Sequence, residues 1–172
     1  MLKNYRDKRI CVAVSGGADS VALLHYLNAL KTEKGYSLCA VHCEHGIRGE
    51  ESLADMRFVE AFCKGLGVEL YLFQEDCPMR AKRDKESLET AARNFRYESF
   101  RQLIEQGKAD YIATAHHQND EAETALFRLA RGTSLGGMSA MQEENGYLLR
   151  PFLKWSKREI LGYIAQNGLS YR

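Results

Sequence analysis

The sequence lacks the features that mark several common classes of protein. No apolar run approaches the roughly 20 residues that a membrane-spanning helix needs, and Met1-Leu2-Lys3-Asn4 opens neither a signal nor a transit peptide. Only two prolines occur in 172 residues, and the formal net charge is +1. There is therefore no overall attraction to nucleic acid, and any contact with RNA must depend on local patches. We expect a cytoplasmic protein with no membrane partner.

Cysteine is also used sparingly, in a pattern that does not indicate disulfides or zinc. The five cysteines are scattered, and no Cys-x-x-Cys or paired His/Cys zinc spacing occurs. Cys39 and Cys43 lie on one expected strand, where their Cα atoms would be about 13 Å apart. A disulfide needs less than about 7 Å. We expect reduced thiols with no disulfide partner.

Strand-like and helix-like segments alternate along a chain long enough for one domain. Strands are predicted over residues 9–15, 37–43, 69–74, 111–116 and 146–150. Helices are predicted over Ala18–Leu30, Glu50–Gly65, Ser87–Gln106, Asn119–Arg131 and Ser156–Asn167. Strands separated by helices need right-handed parallel crossovers. The pattern predicts a doubly wound α/β fold, with a mainly parallel five-stranded sheet and helices on both faces.

The most informative segment is Ser15-Gly16-Gly17-Ala18-Asp19-Ser20, between the first strand and the first helix. Glycines let the backbone approach an anion closely, and the positive end of a helix favours phosphate. The segment has neither the Gly-Lys-Ser/Thr ending of the Walker loop nor the three-glycine dinucleotide motif. It therefore favours a site that holds and releases pyrophosphate, with Asp19 directed at an accompanying metal ion. The alternative is an ordinary glycine-rich turn.

Ligands of such sheets bind at the carboxyl ends of the strands, so the residues that follow other strands are also candidates. After the second strand, His45 and Arg48 stand in a polar segment where Arg48 could offer a planar fork to a phosphate or a base. On the longest helix, Arg93 and Arg96 share a face with Tyr97, while Leu88 and Phe95 belong to the buried stripe. The alternative is a solvated polar surface in both cases, and on the helix a solvated charged face is the more common arrangement.

The segment after the fourth strand carries histidines and carboxylates. His116 and His117 would point to opposite faces if the strand continues, so at most one meets a ligand. Asp120 and Glu123 fit a helix-capping pattern, yet they could also hold an ammonium group or a metal ion at the ligand edge. A basic run at residues 80–85, expected as a loop after the third strand, either touches RNA phosphates or is simply solvated.

Together these segments resemble the tRNA(Ile)-lysidine synthetase family, within the wider group of pyrophosphate-loop ATPases. The resemblance covers nearly the whole chain, and Glu44 is one departure, where an Asn commonly precedes the His-Gly pair. The residues that carry it are Ser15–Ser20, residues 45–52, Glu89, Ala92, Arg93, Arg96, Tyr97, Phe100, His116, His117, Asp120, Glu123, Thr124, Arg131–Thr133 and Arg150-Pro151.

The resemblance implies a ligase that uses ATP, with Mg²⁺, to join free lysine to the wobble cytidine of an isoleucine tRNA with a CAU anticodon. It implies that residues 1–172 are the N-terminal ATP-pyrophosphatase domain and that tRNA-binding domains are absent from this chain. The expected catalytic residues are Asp19, Arg96, Asp120 and Glu123, of which Asp19 also binds the metal. The expected lysine-binding residues are Asp120, Glu123 and Arg96. The expected nucleotide-binding residues are Ser15, Gly16, Gly17, Ala18, Asp19, Ser20, His45, Arg48, Arg93, His116, Gly132 and Thr133.

Two alternatives stay open at this point. One is a different tRNA-modifying enzyme of the group, such as a thiolase, although the cysteine pair usual in thiolases has no match here. The other is a module of the same architecture that binds ATP without turning it over.

Overall fold

The strands and helices alternate along a computed structural model of the chain, which describes residues 5–118 and 142–172. The strands are β1 Arg9–Ala13, β2 Ser37–Glu44, β3 Glu69–Gln74, β4 Tyr111–Ala113, β5 Glu144–Asn145 and β6 Leu148–Leu149. The helices described are α1 Ala18–Lys34, α2 Glu50–Leu66, α3 Cys77–Asp84, α4 Leu88–Glu105 and α5 Lys157–Gln166. The helix predicted over Asn119–Arg131 lies outside the described residues.

These strands form one sheet in the order β3-β2-β1-β4-β6-β5, in which every pairing is parallel except that of β5 with β6. The predicted doubly wound α/β class is confirmed. The expected count of five strands is wrong by one, because the segment predicted as a single strand over 146–150 belongs to a short hairpin. Gly146, with φ +59°, makes its turn.

The two faces of the sheet are covered by different helices. The alternate β1 residues Ile10 and Val12 face α1, α2 and α5, whereas Cys11 packs with Phe100 and Leu103 of α4. A smaller cluster of Cys77, Ala91 and Phe95 joins α3 to α4. Because described helices cover both faces of the central strands, attention turns to the carboxyl edge of the sheet.

Side-chain caps set several helix boundaries close to where the sequence predicts them. Ser87 accepts a hydrogen bond from the Thr90 amide at the start of α4, and Ser156 forms a capping box with Glu159 at the start of α5.

The expectation that Leu88 lies in the buried stripe of α4 is wrong, since Leu88 is 39% exposed. Leu88 is the first residue of α4, before the buried positions of the helix begin at Ala91.

Candidate functional site

A cavity of about 390 Å³ lies at the carboxyl edge of the sheet. Its walls come from the segments that follow β1, β2 and β4 and from one side of α4. Chain order reverses between β1 and β4, which is the point where doubly wound sheets bind their ligands. The lining residues are Ala13, Val14, Ser15, Gly17, Asp19, Ser20, Val41, Cys43, His45, Arg96, Tyr97, Phe100, Thr114, Ala115 and His116.

The loop Ser15–Ser20 is held in shape by its own hydroxyl groups. Ser20 is buried, and its Oγ donates to the Gly17 carbonyl at 2.9 Å while accepting from the Ser15 amide at 3.1 Å. The Gly17 amide donates to Ser15 Oγ at 3.3 Å. Gly16 has φ +93°, a conformation that L side chains rarely adopt. The loop is therefore organised before any ligand binds.

The first turn of α1 faces the same cavity. Gly17 is the N-cap of α1, and no side chain among the described residues caps the amides there. The start of α2, at Gly49, is likewise uncapped but does not line the main cavity, whereas α3, α4 and α5 each begin with a side-chain cap. Uncapped amides at the positive end of a helix are well suited to bind an oxyanion.

Asp19 lies in that first turn and contacts two basic side chains. Its Oδ1 is 2.6 Å from Lys157 Nζ of α5, and its Oδ2 is 3.7 Å from His117 Nε2. Asp19 was expected from the sequence, whereas Lys157 was not. The one signal was a lysine in the first turn of a helix, where the dipole disfavours a cation.

The end of β2 is fixed to the loop by buried polar contacts. His42 is 4% exposed, and its Nδ1 donates to the Val14 carbonyl at 2.7 Å, which ties β2 to the end of β1. Glu44 Oε1 accepts from the Gly46 amide at 2.7 Å. A Cβ at Gly46 would meet the Glu75 carbonyl oxygen at 3.1 Å, so only glycine fits there comfortably. The turn that follows β2 therefore needs a side-chain oxygen at position 44 to accept the Gly46 amide, and Glu44 supplies it.

His45 and Cys43 present uncharged groups to the cavity. Burial, with Arg96 and His42 nearby, lowers the pKa of His45, so the neutral imidazole is favoured at neutral pH. The His45 ring packs edge-on against Phe95 at 5.6 Å. Burial raises the pKa of the Cys43 thiol to about 11. This thiol stays protonated at neutral pH and is a poor nucleophile.

The two arginines of α4 that the sequence singles out are placed differently. Arg96 lines the cavity, whereas the lining does not include Arg93. The guanidinium carbons of Arg93 and Arg96 lie 4.9 and 6.0 Å from the centre of the Tyr97 ring. The structure therefore brings Arg96, but not Arg93, to the predicted site.

Arg48 lies on a second cavity, of about 230 Å³, on the α2 side of the loop. Its guanidinium is 2.6 Å from Asp55, whose other oxygen accepts from Arg172 at 3.0 Å. The second cavity shares Ser15, Cys43 and His45 with the main one. The two cavities are thus neighbours, and Arg48 serves the smaller one.

The basic run after β3 was expected to be a loop, and this expectation is wrong. It belongs to α3, which Asp76 caps by accepting from the Met79 amide. Arg80 is held by Glu98 through two hydrogen bonds of 2.7 Å. Three further carboxylates lie within 4 Å of its guanidinium: Glu75, Asp84 and Glu86. Arg80 is thus occupied inside the protein and is not available to RNA phosphates.

Comparison with known proteins decides the family. All of residues 1–172 match the model of the PP-loop domain family. The chain belongs to that family. It is 41% identical over 165 residues to a tRNA(Ile)-lysidine synthase of Bacteroides thetaiotaomicron and 42% identical over 167 residues to that of Bacillus subtilis. These alignments cover 96% and 95% of the chain but only 38% and 35% of the relatives.

Solved PP-loop structures share the fold. The U34-tRNA thiolase NcsA from Methanococcus maripaludis, with its [4Fe-4S] cluster, superposes with a TM-score of 0.80 at 17% identity. That match covers 97% of this chain and 59% of the thiolase. The NH₃-dependent NAD synthetase from Campylobacter jejuni gives a TM-score of 0.65, also at 17% identity, over 98% of this chain and 67% of its own. At this identity the likeness shows the fold alone.

The PP-loop fold explains how the predicted residues converge. Seven of the predicted site residues line the main cavity: Ser15, Gly17, Asp19, Ser20, His45, Arg96 and His116. His116 Nδ1 lies 2.8 Å from Thr114 Oγ1, which positions its ring. Four predicted site residues lie outside the described residues, and they are Asp120, Glu123, Gly132 and Thr133.

The loop Ser15–Ser20, called the PP-loop below, offers ligands that suit a magnesium ion bound together with phosphate. Within residues 5–118 and 142–172, no group of three or more His, Cys, Asp or Glu residues is arranged to hold a metal by itself. Mg²⁺ is usually bound by one or two carboxylates together with substrate phosphates and water. The single carboxylate of Asp19, beside uncapped helix amides, fits that mode.

All five cysteines are free thiols. No helix in the described part of the chain has the length and apolar character needed to cross a membrane.

Proposed function

We propose that residues 1–172 form the N-terminal ATP-pyrophosphatase domain of an enzyme that joins lysine to the wobble cytidine of isoleucine tRNA with a CAU anticodon. The observation that carries the proposal is the pairing of an uncapped helix start with Asp19 on the main cavity. Identity of about 40% to tRNA(Ile)-lysidine synthases supports the choice of reaction. Because this chain spans 35–38% of those relatives, the activity belongs to a longer protein. We propose that this protein works in the cytoplasm.

The first step places ATP with its phosphates on the PP-loop. The amides of the first turn of α1 bind the pyrophosphate portion, and Asp19 holds Mg²⁺, which would neutralise phosphate charge. Oxygen O2 of the cytidine attacks the α-phosphorus, and the bond from that phosphorus to the bridging oxygen breaks. Pyrophosphate leaves, and the base carries AMP on O2. The Arg96 guanidinium offsets negative charge that develops at phosphorus.

The second step consumes the adenylated base. The neutral amine nitrogen of lysine attacks carbon 2, and the bond from that carbon to O2 breaks, so AMP departs. The amine then gives up a proton. In this proposal Asp120 and Glu123 bind the charged amines of lysine, Arg96 binds its carboxylate, and one of the two protein carboxylates accepts the proton. Gly132 and Thr133 complete the nucleotide site with His45 and His116, and Arg48 contributes from the adjoining smaller cavity.

The chemistry of the cavity supports ligation over thiolation. A thiolase needs a nucleophilic sulfur, and the Cys43 thiol on this cavity is held in its protonated form. A module that only senses ATP would not need Arg96 and His45 on the cavity that the PP-loop lines.

The test is a chimaera in which residues 1–172 replace the matching part of the Bacillus subtilis relative. We expect it to incorporate labelled lysine into isoleucine tRNA and to release pyrophosphate only when tRNA is present. Glu123→Gln should abolish the incorporation of lysine while leaving Mg·ATP binding intact. A chimaera that binds Mg·ATP but transfers sulfur, or transfers nothing, contradicts the proposal.

Residues 1–172 alone should bind ATP and form negligible lysidine. Their net charge of +1 provides little of the phosphate attraction that drives tRNA binding. Lysine incorporation by residues 1–172 at a rate comparable to the full-length relative would show that this domain reads the anticodon by itself.

A further inference from the structure

Lys157 is not itself among the residues that line the main cavity, but its ammonium group contacts Asp19, which is one of them. Its Nζ is 2.6 Å from Asp19 Oδ1, and the two side chains are 41% and 29% exposed. The pair joins the first turn of α5 to the first turn of α1, 138 positions apart in the chain. The ammonium is therefore one hydrogen bond away from the space that the PP-loop encloses.

The position of Lys157 is not explained by the stability of its own helix. It is the first residue of α5, where the helix dipole disfavours a positive charge. The start of α5 is already secured by the capping box of Ser156 and Glu159, in which Lys157 takes no part. The partner that favours a cation here is Asp19, from a different helix.

Asp19 cannot serve Lys157 and a metal ion through the same oxygen. Ammonium and Mg²⁺ repel each other, and Oδ1 is already in contact with Nζ. Mg²⁺ held by Oδ1 would displace the ammonium from this contact. Lysine has a flexible four-carbon stem and three donors that can be redirected, and phosphate oxygens are the new anions within its reach.

We propose that Lys157 is a further phosphate-binding residue of the PP-loop site, which neutralises Asp19 before nucleotide binds and transfers its ammonium to a phosphate oxygen when Mg²⁺ takes Asp19. This inference rests on the proposed function, because it requires that the PP-loop binds magnesium pyrophosphate or Mg·ATP. It assigns to α5 a direct part in binding the nucleotide.

The experiment is calorimetric titration of magnesium pyrophosphate into residues 1–172, with Lys157→Met as the test variant. Lys154→Met is the matched control, because Lys154 makes an ion pair of the same length, 2.6 Å, with Glu143, which is not among the residues that line the main cavity. Partly exposed ion pairs contribute little to stability, so both variants should unfold near the wild-type temperature. We expect Lys157→Met to weaken binding about tenfold or more, as for loss of a charged hydrogen bond, and Lys154→Met to leave it unchanged.

An Asp19→Asn background separates contact with phosphate from mere neutralisation of Asp19. If the ammonium binds phosphate, Lys157→Met weakens binding by several-fold in this background as well. A loss that appears only when Asp19 is intact, or a loss no larger than that of Lys154→Met, overturns the inference. Lys157→Gln provides the same comparison if Lys157→Met does not fold. If the wild-type chain binds neither magnesium pyrophosphate nor Mg·ATP, the proposed function fails as well.

Discussion

The two adjacent glycines of the PP-loop should respond to alanine in different ways. At Gly16 a Cβ would meet Phe58 Cδ1 and Val59 Cγ2 at 3.6 Å, which is an ordinary contact. The cost of Gly16→Ala therefore comes from the backbone, whose φ of +93° an alanine resists. Such a conformation costs an L residue roughly 1–2 kcal/mol. We expect the free energy of unfolding to fall by about that amount.

At Gly17 the backbone tolerates substitution but the cavity does not. Its φ of −72° and ψ of 161° are available to any residue, and a Cβ would lie 3.5 Å from Ser15 Oγ. Alanine restricts the unfolded chain, which favours folding by about 0.4–1 kcal/mol, but it is a poorer N-cap than glycine, so the stability of Gly17→Ala should stay near that of wild type. Gly17 lines the cavity, however, and the added methyl group occupies space that phosphate needs. Mg·ATP affinity should therefore fall in a stable protein.

Thermal unfolding and calorimetric titration with Mg·ATP measure both quantities on the same samples. For a domain of this size, about 1–2 kcal/mol corresponds to a decrease in Tm of roughly 2–8 °C for Gly16→Ala. Gly17→Ala should unfold near the wild-type temperature. The reasoning is refuted if Gly16→Ala is as stable as wild type, or if Gly17→Ala binds Mg·ATP with wild-type affinity.

Two further predictions concern charges near the site. Arg80→Met leaves Glu98 and three neighbouring carboxylates without their cation, and should cost about 2–3 kcal/mol in urea unfolding at pH 7. Arg80 lowers the pKa of Glu98, so the stability that this ion pair adds is present above about pH 4.3 and is lost as the pH falls further. If the variant and wild type differ in free energy of unfolding by as much at pH 3 as at pH 7, this prediction is contradicted. Burial lowers the pKa of His45, so the neutral ring favours the folded state, and stability should decrease as pH falls below about 6.5. His45→Gln should flatten that decrease, and an NMR titration of His45 with a pKa above about 6.5 would refute the assignment.

Much of the fold could be predicted because local signals agreed with it. Ser87 and Ser156 precede apolar periodic segments, and both cap helices. The segment before α3 carried a comparable signal, since Asp76 is followed by a proline in the first turn. Its dense charge nevertheless concealed the helix, because the sequence does not reveal that Arg80 is surrounded by carboxylates from other segments.

The site was predictable where it follows strands and unpredictable where it depends on distant contacts. The loop after β1 and the residues after β2 and β4 converge because parallel strands end at one edge. The pairing of Asp19 with Lys157 links residues 138 positions apart, and no periodicity encodes it. Likewise, Arg93 and Arg96 lie three residues apart on α4, yet only Arg96 is among the residues that line the cavity.

The central claim is that Asp19 and the PP-loop bind Mg·ATP, and calorimetric titration of Mg·ATP into wild type, Asp19→Asn and Glu143→Gln tests it directly. Glu143 is the matched control, because it also forms a 2.6 Å ion pair with a lysine but is not among the residues that line the cavity. The account predicts Mg²⁺-dependent binding by wild type and Glu143→Gln, and a loss of about tenfold or more in Asp19→Asn. Equal affinity in all three proteins, or no binding by wild type, contradicts it.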